Sequence, residues 1–118
     1  MEDKVKSIID KFDAQVGFNS IEAKLISTTN EKYKKYEEIP IKLTLVSMMA
    51  FLNINAFHTS YIIQVYLERN EMTITTRNST YIFEIQDEEL LEWFDDGILF
   101  ELGDKDIKII EKYLEGEF

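Results

Sequence analysis

Between Tyr61 and Ile85 the chain falls into three short β-rich runs: Tyr61 to Glu68, Met72 to Arg77 and Thr80 to Ile85. Polar connectors, Arg69-Asn70-Glu71 and Asn78-Ser79, separate them. Short polar links between alternating, β-branched segments are hairpin signals, and two in succession predict an antiparallel meander. In the middle run Met72, Ile74 and Thr76 share one face while Thr73, Thr75 and Arg77 share the other. One face of the sheet is therefore core and the other wet. The cover for the core face has to come from the rest of the chain.

Val5, Ile8, Ile9, Phe12 and Val16 recur at helical spacing among charged residues, which predicts a helix from about Asp3 to Val16. Gly17 is expected to close it as a left-handed C′ residue, with Phe18 as the following apolar contact. Ile21, Ala23 and Leu25 alternate with Glu22 and Lys24 as a strand. The polar stretch Thr28 to Glu38 fits a loop or a single helical turn. Ile41 to Leu45 alternates after Pro40, Val46 to Leu52 is nearly all apolar, and Leu52 to Ala56 alternates again. Two strands joined near Ser47 to Ala50, or one strand and a short helix, both satisfy that pattern. Asp87 is placed to cap a short helix through Phe94, with Glu88 and Glu89 at its dipole-favoured start and Gly97 closing it. Ile98 to Leu102 reads as a strand. Asp104 is expected to cap a final helix that carries Ile107, Ile110 and Leu114 on one stripe and ends at Gly116.

These elements predict a single α+β domain over residues 1–118. It has a mainly antiparallel sheet (the meander at about 61–85 plus flanking strands), an N-terminal helix and two short C-terminal helices, with the helices on one face. A hydrophobic share of 45% with 13% aromatic residues supports a real core. One proline and four glycines leave no linker or low-complexity segment.

Charge is the feature that bears on function. Residues 1–83 hold ten acids and ten bases, whereas residues 84–118 hold thirteen acids against Lys105, Lys108 and Lys112, which accounts for the whole net charge of −10. No base at all interrupts Asp87 to Glu101. Ordinary surface helices mix both signs to gain i, i+4 pairs, so a one-signed run points to a surface that attracts cations. The candidate partner-binding residues are Glu84, Asp87, Glu88, Glu89, Glu92, Asp95, Asp96, Glu101 and Asp104, with Trp93 as an aromatic anchor ringed by carboxylates.

Other constellations are weaker. Asp95-Asp96 and Asp104-x-Asp106 offer oxygens without the spacing of a calcium loop or a nearby histidine, so no metal or other cofactor is expected. His58, the one histidine, lies beside Thr59 and Ser60 but in no nucleophile motif, and the four glycines stand too far apart for a phosphate loop. Glu22 and Lys24, two apart on one strand face below Asp10 and Asp13, have the form of a metal-dependent nuclease site, though so acidic a protein would repel nucleic acid. Lys32, Lys34 and Lys35, interleaved with Tyr33 and Tyr36, are cancelled by Glu31, Glu37 and Glu38 and read as a solvated loop. There is no cysteine, which excludes disulfides and thiolate chemistry. The N-terminus shows no secretory pattern, and Leu43 to Phe57 is too short and polar for a bilayer that needs about 20 apolar residues, so a cytoplasmic location off the membrane is expected.

Small size, strong acidity and the lack of a catalytic set fit a stoichiometric inhibitor of a basic protein. In general character the chain resembles bacterial immunity proteins that neutralise toxins such as nucleases, whose active clefts are positive. Phage-encoded acidic proteins that mimic DNA towards host enzymes are the first alternative. A self-associating structural or adaptor subunit is the second.

Overall fold

The computed structural model describes residues 3–117, with side chains to Tyr113. Its elements run α1 (Asp3–Val16), β1 (Phe18–Thr28), a 3-10 helix (Glu31–Tyr36), β2 (Pro40–Val46), β3 (Met49–Phe51), β4 (Ile62–Glu68), β5 (Glu71–Thr76) and β6 (Thr80–Ile85). Then follow α2 (Glu88–Trp93), β7 (Gly97–Glu101) and α3 (Asp104–Glu117). The seven strands form one sheet in the order β3-β2-β1-β6-β5-β4-β7, antiparallel at every pairing. The α+β domain expected from the pattern is the one observed, with the meander as β4-β5-β6.

Alternation sets which way each strand faces. Ile21, Ala23, Leu25, Leu43, Leu45, Val65, Leu67, Met72, Ile74, Tyr81, Phe83 and Phe100 all turn into the core. Over them lies α1, which buries Val5, Ile8, Phe12 and Val16. Phe12 meets Phe100 edge to face at 4.9 Å between centroids, tying the helix to the sheet. From α3, Ile110 joins the same core; Leu114, expected on its stripe, lies outside the residues whose side chains are described. Tyr33 and Tyr36 turn the 3-10 helix inward against the core that holds Phe57 and Tyr81. Its lysines therefore face out, Lys32 and Lys35 each over a tyrosine ring and Lys34 3.2 Å from Glu31.

Single extra residues at Ile26, Ile63 and Leu99 interrupt the ladders, and a further irregularity falls between Phe18 and Ile21, where Ser20 takes a φ of 52°. Bulges increase local twist, which curls the sheet around its helices.

The 43–57 segment resolves to the first of its two readings. β2 and β3 are joined by Ser47 and Met48, both left-handed at φ 52° and 64°, as a two-residue hairpin turn requires. Asp13 on α1 accepts a 2.7 Å hydrogen bond from the Ser47 N–H and fixes that turn. Leu52 to Phe57 is a loop with Asn53, Asn55 and Ala56 left-handed.

Three helix-end expectations are corrected. α2 stops at Trp93 with Phe94 as an extended C-cap, so Gly97, at φ 129°, does not close it but opens β7. Gly17 lies outside the left-handed region; its N–H extends the helix with a 3.0 Å bond to the Asp13 carbonyl, and a Cβ there would stand 2.5 Å from that oxygen. Close approach, not positive φ, requires the glycine. Asp104 does not cap α3 from outside but sits in its first turn, while the Gly103 carbonyl accepts from the Ile107 N–H at 3.0 Å. An acid in the first turn still complements the helix dipole.

Candidate docking surface

The face of the sheet turned away from the helices is read most easily in rows across the strands. One row runs Lys24–Glu84–Glu71–Glu68, each residue in register with the next. The next runs Ile82–Thr73–Tyr66–Ile98, and a third Thr80–Thr75–Gln64–Glu101. Like charges directly opposite on neighbouring strands are destabilising, so Glu84–Glu71 and Glu71–Glu68 are two unfavourable pairs side by side.

This row lies at the end of the sheet where β4 turns into β5 through Arg69 and Asn70. β6 leaves the sheet and β7 enters it at the same end. The link between them, with α2 inside it, therefore crosses the β4–β5 turn. Two hydrogen bonds hold it there: the Asn70 carbonyl accepts from the Ile85 N–H at 2.7 Å, and Asp96 Oδ1 accepts from the Arg69 N–H at 3.0 Å. Asp87 caps α2 as expected, accepting from the Leu90 N–H at 3.1 Å. Leu90, Leu91 and Phe94 lean on the core and orient the helix. Trp93 is left 76% exposed. It is not part of the core.

Glu84, Asp87, Glu88, Glu89, Glu92, Asp95 and Asp96 are thus gathered at one end, joined by Glu68 and Glu71 from residues 1–83, whose charges cancel. Arg69 and Lys24 are bases among them, and Lys42, paired with Glu22 beside Gln86, stands in the next row at the same end. The ion pairs among the described residues, Lys6–Asp10, Lys34–Glu31 and Lys42–Glu22, involve none of these carboxylates. Glu101 and Asp104 are not brought into the cluster. They stand at the far end of β7, about 13 Å away at ~3.3 Å per residue, where Glu101 accepts a 2.6 Å bond from Gln64 Nε2.

The remaining candidates disperse. Glu22 is bonded to Lys42 on the open face, whereas Asp13 holds the Ser47 turn and Asp10 pairs with Lys6 on α1. Among the described residues no three acids or histidines gather as a metal site. His58 Nδ1 lies 3.0 Å from the Thr59 carbonyl, and the Thr59 hydroxyl donates to the Ser60 carbonyl, so both groups are engaged with backbone rather than with each other. His58 also borders an apolar cavity of about 590 Å³ with Val5, Met48, Ile110, Tyr61 and Arg77 in its wall. There the Tyr61 hydroxyl donates to Glu111 Oε1 at 3.3 Å. Burial first, then the Glu111 carboxylate, raises the Tyr61 pKa above its usual 10.0.

No helix among the described residues is long and apolar enough to cross a membrane. No family model, curated protein or solved structure matches the chain.

Proposed function

We propose that this protein is a stoichiometric inhibitor, of the immunity-protein kind, that binds and neutralises a basic toxin such as a nuclease in the cytoplasm. The observation that carries the reading is that nine carboxylates and an exposed tryptophan share one end of the sheet. An aromatic anchor within a polar rim is the common layout of an interface hot spot. A one-signed rim steers an oppositely charged partner and raises its association rate, while the anchor slows dissociation. Nuclease clefts are positive because their substrate is polyanionic, and the acidic end would cover such a cleft or dock beside it.

The test is kinetic. The basic protein that co-purifies from the native host, or the toxin-like product of a neighbouring reading frame, is immobilised and association is followed at about 50 and 500 mM salt. Wild type is expected to associate at least tenfold faster at low salt, and Glu88→Lys, Glu89→Lys and Asp95→Lys to erase most of that difference. Unchanged association and affinity in all three reversals would refute the acidic-docking reading.

A further inference from the structure

Among the described residues β7 ends the sheet, with β4 on one side and no strand on the other, so half of its backbone donors and acceptors face outward. Among the described residues the hydrogen bonds of the loops and caps do not reach that outer edge; the one from Leu102 N–H goes inward to the Ile63 carbonyl of β4. The opposite edge differs, because β3 is three residues long and bridged by His58. On β7 Ile98 is 58% exposed beside the half-open Tyr66, at the end of the apolar row of the open face. Acids stand at both ends of the strand: Asp95 and Asp96 before it, Glu101 as its last residue and Asp104 after it.

We propose that this edge accepts an extended segment of a basic partner as an eighth strand. The proposal rests on the inhibitor reading and specifies how such a partner is held. Charge decides the occupant. A second copy pairing antiparallel along β7 would set Asp95 and Asp96 of one chain against Glu101 and Asp104 of the other, an unfavourable match. A strand carrying lysine or arginine meets those four carboxylates favourably instead. Ile98 and Glu101 share the open face, since their register partners Tyr66 and Gln64 are two apart on β4. The added strand therefore needs an apolar residue opposite Ile98 and a cation opposite Glu101, with further cations towards Asp95 and Asp96. Main-chain bonds give such a strand affinity, and these side-chain positions give it specificity. Leu99, which has no register partner on β4, is the bulge where the added strand must adapt.

The probe is a synthetic peptide of alternating lysine and valine, compared with the same peptide N-methylated at alternate residues, which keeps charge and shape but removes one edge of backbone donors. Binding to the full-length protein is measured by fluorescence anisotropy and by amide exchange of residues 97–101. The unmodified peptide is expected to bind at least tenfold more tightly than the methylated one and to slow exchange on β7 at least tenfold, and Ile98→Lys to weaken it by a similar factor. Equal binding of the two peptides, no binding at millimolar peptide, protection appearing on β3, or a dimer of the unliganded protein by sedimentation would each overturn the proposal. The inhibitor reading is separated by Glu88→Lys and Glu89→Lys measured on the co-purified partner. If those reversals abolish association while the two peptides bind equally, the acidic end stands and the edge does not.

Discussion

Glu71 is the residue at which stability and the proposed recognition pull apart. It faces Glu68 across the two-residue turn on one side and Glu84 on β6 on the other, and all three carboxylates share the open face. At cross-strand carboxylate separations of about 5–6 Å in water, each repulsion is on the order of 0.7 kcal/mol before screening. Glu71→Lys turns both repulsions into attractions, which at solvent-exposed positions is worth about 1–2 kcal/mol at low salt. For a domain of this size that corresponds to a rise in Tm of roughly 4–8 °C. Calorimetry of both proteins in about 10 mM and 500 mM salt reads the effect, because the shorter Debye length should remove most of the gain. The same substitution is expected to slow association with a basic partner severalfold. A Tm that falls or stays level at low salt, or a gain that survives high salt undiminished, would show that the three carboxylates do not repel one another as their register implies.

Trp93→Ala is expected to leave Tm nearly unchanged, because the side chain is 76% exposed, yet to cost at least tenfold in partner affinity, mainly through faster dissociation. Arg69, held at φ 59° in the β4–β5 turn, is a place where glycine is less strained; Arg69→Gly should stabilise by about 0.5–1 kcal/mol in denaturant titrations at high salt, where its charge matters least. Phe12→Ala removes the ring that meets Phe100 and should cost about 3–5 kcal/mol, seen as a shifted denaturant midpoint with an unchanged slope. Tyr61 should ionise later than an ordinary tyrosine in an absorbance titration, and Tyr61→Phe should remove that late step. Because its folded pKa lies above its unfolded value of 10.0, its contribution to stability is present below pH 10.0 and is lost as pH climbs through the folded pKa.

Much of the fold is legible because each local period agrees with its tertiary place. The stripe Val5, Ile8, Phe12, Val16 and the alternation Met72, Ile74, Thr76 are both fully inside. Failures occur where the backbone departs from a simple period. In Ile98 to Leu102 simple alternation would put Ile98, Phe100 and Leu102 on one face, but the bulge at Leu99 shifts it, leaving Ile98 outside while Phe100 and Leu102 are inside. The β2–β3 turn uses Ser47 and Met48 in left-handed conformations without the Asn-Gly signature, so strand and helix could not be told apart there. Glu68 and Glu71 were missed as site residues because Arg69-Asn70-Glu71 reads as a three-residue connector. A two-residue turn would have placed Glu71 in β5, opposite Glu68, and counting through the next hairpin would have brought it to Glu84.

The distribution of unfavourable features argues in the same direction as the charge. At the end of the sheet near Thr28 the polar groups are matched. The Thr28 hydroxyl donates to the Thr80 carbonyl and accepts from the Asn30 N–H, its N–H reaches Glu37, and Asn30 in turn caps the 3-10 helix. Among the described residues no buried side-chain polar atom lacks a partner. The opposite end holds two like-charged cross-strand pairs, an arginine in a glycine-like conformation and a tryptophan in solvent. Each lowers the stability or solubility of the free protein, and none is demanded by the fold, since lysine at Glu71, glycine at Arg69 or a polar residue at Trp93 would serve the same backbone. Left-handed non-glycine residues also occur away from this end, at Ser20, Glu38, Ser47, Met48, Asn53, Asn55 and Ala56, so it is the like-charged pairs and the exposed indole that carry the contrast, and features that a fold does not demand are expected at functional sites. On the proposed inhibitor reading, a cationic partner surface would supply what this end lacks: counter-charge for the carboxylates and cover for the indole.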